Sequence, residues 1–209
     1  MIVQNVTVYD VMDTNAYFYI DEKTHHGFLI DAGAEPQKLI DIIKKEGWTI
    51  EVVLLTHGHF DHIGAAEEIC RALNVPYKIH RAGEEFLKDP ALNLSAYFGQ
   101  KMVLENALYF DDGDEISLSA DPSVKLKVIH TPGHTPDSVV FYDEKNKTAF
   151  VGDTIFRAGV GNTSFPKGDE KTLWQSIKSK IFTLDDDVTL YTGHSSATTV
   201  GREKQRYGF

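Results

Sequence analysis

The chain has 209 residues, 42% hydrophobic and 25% charged, which excludes a disordered chain and fits one folded domain over residues 1–209. With 21 basic against 31 acidic residues the formal charge is −10 and no basic stripe is visible, so no nucleic-acid partner is expected. The single cysteine, Cys70, permits no intrachain disulfide, and the longest aliphatic runs are far too short to span a bilayer. MIVQNVTVYD carries no basic leader, so the expectation is a cytoplasmic protein with no membrane partner.

Taken in chain order, Ala16, Phe18 and Ile20 alternate with Tyr17 and Tyr19, and Phe28-Leu29-Ile30 runs into Asp31-Ala32-Gly33, a pattern of short strands. Pro36 opens a helix with the apolar stripe Leu39, Ile42 and Ile43, and Gly47 is placed to stop it. Val52 to Leu55 is a continuous apolar run, as in a strand covered on both faces. Ala65, Ala66, Ile69, Cys70 and Leu73 recur at helical spacing, and residues 81–102 read as short helical pieces with an irregular segment. Asp111-Asp112-Gly113-Asp114 is turn chemistry, and Val124, Leu126 and Val128 mark a half-exposed strand. Val139-Val140-Phe141 and Ala149-Phe150-Val151 flank DEKNK as a hairpin. A later helix turns Leu173, Trp174, Ile177 and Ile181 inward, Val188 to Tyr191 forms the last strand, and a short polar tail is expected after it. VVLLTHGH (52–59) and VTLYTGHS (188–195) echo each other as strands that end in Thr and then place histidine, which fits two related halves.

Residues 57–62 read H-x-H-x-D-H and so gather three of the 9 histidines within six positions, with Asp61 among them. In an extended turn residues two apart point the same way, so His57 and His59 present imidazoles to one cation. Asp61 and His62 are adjacent and diverge, which suits a second cation nearby. Imidazole and carboxylate are the donors that zinc, iron and manganese accept. His134 in TPGHTPDS, Asp153 in VGDT and His194 in TGHS each lie just beyond an expected strand, and layered α/β folds gather their sites at strand ends. The neighbouring Gly58, Gly133, Gly152 and Gly193 are expected to let the backbone turn tightly there. The expected partition is His57, His59 and His134 on one metal and Asp61, His62 and His194 on the other, with Asp153 bridging.

Taken singly, histidines and aspartates at turns are most often solvated or capping groups. His25, His26 and His80 are read that way, as surface residues. His130 is read as a packed or supporting group, and Cys70 as a small buried hydrophobe. Asp31 either closes a turn or hydrogen-bonds a ligating histidine.

LIDAG, THGHFDHIGA, TPGHT, VGDT and TGHSSATT together resemble the metallo-β-lactamase superfamily, and most of all its short glyoxalase II-like (hydroxyacylglutathione hydrolase-like) branch. The likeness runs from about residue 2 to 205. It implies an α/β fold, the αββα sandwich of two mixed β-sheets with outer helices, and a dinuclear site at one edge of the sheets. It also implies thioester hydrolysis. The sequence ends at Phe209, soon after TGHSSATT, so the additional C-terminal helical region with which full-length glyoxalase II enzymes hold glutathione is not expected. GNTSFPKGD (161–169) stands where related short forms often read GRTDFP-x-GD, so Asn162 and Ser164 replace an Arg and an Asp. Ser195-Ser196 likewise replaces a more usual Gly-Pro after the last histidine.

The expected reaction is that of a metal-dependent hydrolase. Two divalent ions, zinc first and iron or manganese also compatible, lower the pKa of a shared water so that a bridging hydroxide attacks a thioester carbonyl, with Asp61 as the catalytic residue that orients it. The thiolate leaves without a strong general acid. The substrate class is a small-molecule acyl thiol, and the oligomeric state is not legible in the sequence. Substrate contacts are not specified by the motifs. Tyr97, Phe98, Phe156 and Phe165 are expected at the mouth, with Arg157, Asn162 and Lys167 as the polar candidates there. The competing readings are a persulfide dioxygenase with one iron on two His and an Asp, and a lactonase-type hydrolase. A β-lactamase is disfavoured because Asp153 and not Cys holds the bridging position. A non-catalytic module is disfavoured by the intact ligand set.

Overall fold

The computed structural model describes residues 1–209. Strand β1 (Ile2–Tyr9) pairs antiparallel with β2 (Asp13–Ile20), Ile2 facing Ile20 and Tyr9 facing Asp13. The alternation along β2 divides its side chains between two layers. Ala16, Phe18 and Ile20 join an outer apolar cluster, while Tyr17 and Tyr19 point into the space between two sheets. Strand β3 (His26–Ile30) completes the meander, and α1 (Pro36–Glu46) crosses over to β4 (Thr49–Leu54), parallel to β3. Pro36 begins that helix and Gly47 ends it at φ 66°, as the sequence implies.

A one-turn helix α2 (Phe60–Ile63) and α3 (Ala66–Leu73) follow, then β5 (Tyr77–His80), α4 (Glu84–Lys88), a 3₁₀ turn at Ser95–Phe98 and β6 (Leu108–Phe110). The first sheet has the order β1-β2-β3-β4-β5-β6. The second starts as an antiparallel meander of β7 (Glu115–Ser117), β8 (Lys125–His130), β9 (Val139–Asp143) and β10 (Thr148–Gly152). A small ribbon, β11 (Ile155–Phe156) with β12 (Gly159–Val160), leads to α5 (Glu170–Ser176) and a π-helical turn at Ile177–Ile181. Strand β13 (Thr189–Thr192) then returns parallel to β10, with β14 (Thr198–Thr199) at the edge.

Fifteen buried residues fill the layer between the sheets, and clusters of 22 and 12 lie beneath the outer helices. This is the αββα sandwich. Each half is built alike, as an antiparallel meander, a helical crossover and a parallel strand. The echoing segments at 52–59 and 188–195 are the two crossover strands, β4 and β13. No helix is long and apolar enough to cross a membrane.

Two expectations change. The stretch after the last long strand is not a plain polar tail, since residues 200–207 form α6 (Val200–Tyr207) with Thr199 as its N-cap. Its surface is mostly polar, but Val200 and Glu203 are fully buried. Glu203 accepts the Ala158 N–H at 3.1 Å and the Thr198 hydroxyl at 2.5 Å, which ties the helix to the loop after Asp153. His80 is not a surface residue: it is 8% exposed and its ring stacks on His130, centroids 4.1 Å apart, joining the ends of β5 and β8 across the sandwich. His25 is exposed and His26 half-buried, with its Nδ1 2.7 Å from Glu51.

Cys70 lies on the buried face of α3, and burial pushes its thiol up to about 12. Such a thiol is no nucleophile at neutral pH. Cys70→Ala is expected to leave turnover within a few-fold and to cost about 1 kcal/mol of stability, measured by denaturant unfolding. Loss of turnover with folding intact would overturn that role.

Candidate metal centre

The ends of β4, β8, β10 and β13 meet at one edge of the sandwich and deliver His57, His134, Asp153 and His194 in that order. His59 is the extended residue before α2 (φ −72°, ψ 146°), and Asp61 and His62 occupy that helix itself. Three sets of donor atoms lie within 4.8 Å of one another: His57, His59 and His134; His57, His62 and Asp153; Asp61, His62 and His194. His134 Nε2 is 3.0 Å from His59 Nδ1, and His57 Nε2 is 3.1 Å from the same atom. On the other side Asp61 Oδ2 is 3.3 Å from His62 Nε2 and 3.2 Å from His194 Nε2. Asp153 stands between the sets, its Oδ2 3.6 Å from His134 Nε2 and 3.3 Å from His194 Nε2. All seven expected residues therefore converge, in two triads joined by one carboxylate.

Most of the rings are held from behind at one nitrogen, which aims the other at the cluster. His134 Nδ1 is 2.7 Å from the Asn162 carbonyl oxygen, and His194 Nδ1 is 2.7 Å from that of Asp13. His57 Nδ1 lies 3.1 Å from the Thr56 hydroxyl. Asp31 settles as a supporting group: Oδ2 meets His62 Nδ1 at 2.9 Å and the Thr56 hydroxyl at 2.8 Å, while Oδ1 accepts the Thr56 N–H at 2.8 Å. It adopts φ 57°, a left-handed conformation that aspartate tolerates better than most residues. Thr14, at the start of β2, donates to Asp61 Oδ2 at 3.0 Å.

The charges suit a cation. Burial drives His57 well below its ordinary value and His59 down to about 3, so both rings are neutral at pH 7. Burial alone would lower His62 and His194 as well, but Asp61 and Asp153 outweigh it and lift them to about 9 and about 11. Asp61 is held well below the carboxylate range; burial opposes this, and His62 and His194 overcome it. Asp153 Oδ1 is buried without a hydrogen-bond partner, at the junction of the two triads. A divalent ion satisfies such an orphaned carboxylate oxygen, so the donor set fits two metals.

Of the four glycines expected to turn the backbone, Gly152 does so at φ 48° and Gly133 lies at φ 141°. Gly193 is needed for closeness instead. A Cβ there would lie 2.1 Å from Asp153 Oδ1.

A cleft of about 480 Å³ opens over the cluster. Tyr97, Phe98, Phe156, Asn162 and Phe165 line it as expected, and Met12, from the β1–β2 turn, was not foreseen. Arg157 and Lys167 do not line it. Lys167 pairs with Glu85, and Arg157 Nη1 donates to Ser196 Oγ at 3.0 Å, so both expected cations are engaged outside the cleft. A more open hollow of about 580 Å³ beside Cys70 and Tyr77 holds no converging ligand set.

Asp137 is the group that the motif TPGHTPDS contains without announcing. It is fully buried, and neither oxygen has a well-formed hydrogen bond. Its Oδ2 sits 3.4 Å from the Cβ position of Gly58 and 2.8 Å from that of Gly83, beneath the turn between His57 and His59. Burial pushes its carboxyl up to about 6 against the partial opposition of the Thr135 hydroxyl and the Gly58 N–H. Below about pH 4 the group is neutral in both folded and unfolded chains. Between about pH 4 and about 6 the unfolded chain gives up this proton while the buried carboxyl keeps it, so stability falls across that window and levels off above it, where the folded state carries the buried charge. Asp137→Asn is expected to gain on the order of 2–3 kcal/mol at pH 7–8, with the gain vanishing near pH 4, in thermal melts across that range. A gain independent of pH would overturn this account.

The chain belongs to the metallo-β-lactamase superfamily, whose family model matches residues 9–194. It is similar to hydroxyacylglutathione hydrolase GloC of Haemophilus influenzae, 35% identical over 192 residues that span 90% of this chain and 88% of that one. Among solved structures it is similar to the BLEG-1 B3 metallo-β-lactamase, with a TM-score of 0.89 and 31% identity over 98% of this chain and 97% of the other. TTHA1623, solved in a di-iron-bound form, gives a TM-score of 0.85 and 30% identity, covering 97% and 98% of the two chains. Fold and cluster together define a metal-dependent hydrolase of this superfamily, with a site of dinuclear type.

Proposed function

We propose that the protein hydrolyses a small-molecule acyl thioester, with two divalent ions held by His57, His59 and His134 on one side and Asp61, His62 and His194 on the other. The observation that carries this reading is Asp153, a single carboxylate within 3.6 Å of ring nitrogens from both triads. Similarity to a hydroxyacylglutathione hydrolase supports the thioester class. Zinc is the first expectation for the metal, and the di-iron form of a similar protein supports iron as compatible. Neither nucleic acid nor membrane enters as a partner.

When bound, two such ions would supply Lewis acidity and bring the pKa of a bound water down toward about 7. The protein's own groups set the direction of the chemistry. Asp61, kept ionised and fixed at Oδ2 by Thr14, accepts the proton of the attacking water. The rear contacts of His134 and His194 hold both rings in place throughout. Water adds across the C–S bond, its oxygen ending on the acyl carbon and its proton on the departing sulfur. A thiol with pKa near 8.5 leaves without a dedicated acid.

Metal analysis of the purified protein, joined to a panel of thioesters, tests the reading. About two equivalents of metal per chain and turnover of at least one thioester are expected. A well-folded protein with no affinity for any divalent ion would overturn it.

A further inference from the structure

Eight large apolar side chains are exposed on this chain, and four of them, Met12, Tyr97, Phe98 and Phe165, line the single cleft over the metal cluster. Tyr97 is 70% exposed, so the cluster is open to solvent and not a frayed edge of the core. Scattered exposed apolar residues are ordinary, whereas a concentration of them marks a binding surface. The aromatic groups also reach the ligand rings. Phe165 stands edge-on to His59 at 5.6 Å, Phe156 lies 6.0 Å from His194, and Phe98 packs on Phe60 at 5.0 Å. An apolar wall therefore runs from the rim to the reacting centre.

The same cleft has no lysine or arginine in its lining. Lys167 is paired with Glu85 and Arg157 is bonded to Ser196. The polar residues of the wall are partly used up as well: the Asn162 carbonyl faces His134 and its Oδ1 accepts the Ser164 N–H at 2.9 Å. A glutathionyl group would bring two carboxylates to this wall, and a carboxylate that sheds water there meets no lysine or arginine to pair with. An uncharged group meets aromatic faces and edges suited to it.

We infer that the substrate is an apolar thioester: an aromatic or comparable aliphatic acyl group on a thiol that carries no carboxylate. The inference rests on the thioester reading above and narrows it. The reaction needs no co-reactant beyond water.

Two measurements on the metal-loaded protein test it. In the first, phenylacetyl-S-N-acetylcysteamine and phenylacetyl-S-glutathione are compared as substrates. The uncharged thioester is expected to have at least about tenfold higher kcat/KM, mostly through KM, and Phe98→Ala and Phe156→Ala are expected to raise that KM about fivefold or more with kcat little changed. In the second, S-benzyl-N-acetylcysteamine and S-benzylglutathione, which have no hydrolysable bond, are compared by calorimetry, with tighter binding by about tenfold expected for the uncharged thioether. Equal or better handling of the glutathione member in either comparison overturns the inference and leaves thioester hydrolysis standing. If neither thioester turns over, the hydrolase reading fails instead, and the calorimetric ratio alone decides whether the cleft prefers uncharged ligands.

Discussion

Asp61→Asn and His194→Ala are each expected to cut thioester hydrolysis by at least about 10²-fold, the scale of one positioned catalytic group. Both are expected to lower metal content from about two equivalents per chain to about one, because each removes a donor from the triad that includes His62. Asn keeps the shape of Asp61 and an acceptor for the Thr14 hydroxyl, so the loss reports the negative charge and not the packing. His194 is the outermost ligand: its side chain is 25% exposed, although the residue as a whole is more open, so truncation there spares the core. Metal content by elemental analysis and kcat/KM on a single thioester read both effects. Full metal and activity within a few-fold would remove Asp61 and His194 from the site. One iron per chain with oxygen uptake on glutathione persulfide, and thioesters untouched, would decide for dioxygenase chemistry.

Removing the metal is expected to abolish turnover and lower Tm by roughly 10 °C, since ligand held at about 1,000 times its Kd contributes about 4 kcal/mol and each kcal/mol moves a domain of this size about 2–4 °C. The chelated chain is expected to stay folded at neutral pH for an electrostatic reason. His62 and His194, lifted to about 9 and about 11, are protonated there and neutralise Asp61 and Asp153. A histidine whose folded pKa exceeds its unfolded value near 6.5 stabilises fully below that value and loses the effect as pH rises through the folded one. Tm of the chelated protein should therefore fall between about pH 7 and 11, while that of the metal-loaded protein stays level across the lower part of that window. Thermal melts with and without chelator measure this directly, and parallel pH profiles would contradict the assignment of those two histidines.

The likeness of the two halves extends beyond their strands to where the acidic groups fall. Asp31 follows β3 and Asp153 follows β10, each at the end of the meander strand that pairs in parallel with a crossover strand. One carboxylate reaches the donor cluster directly and the other acts through His62 and Thr56. Similar placement has produced different duties, because only Asp153 has its oxygens between the two triads.

What the amino-acid sequence determined by itself is local chemistry. Within H-x-H-x-D-H the two-residue spacing aims His57 and His59 the same way, and placement at strand ends groups His134, Asp153 and His194 with them. The helix start at Pro36, its stop at Gly47 and the hairpin around DEKNK are legible for the same reason, since their causes lie within a few residues. Tertiary structure decided everything that depends on what lies opposite. His80 looks like a surface histidine until β8 lays His130 against it, and Asp137 looks like a turn residue until Gly58 and Gly83 close over it. The tail reads only as short and polar, yet residues 200–207 form a helix tied down by Glu203, which accepts the Thr198 hydroxyl and the Ala158 N–H. Arg157 and Lys167 are candidates for the mouth because they sit in the loop after Asp153, but Ser196 and Glu85 hold them elsewhere. A charge is visible in sequence; its partner is not, because pairing is set by distance in space and not along the chain.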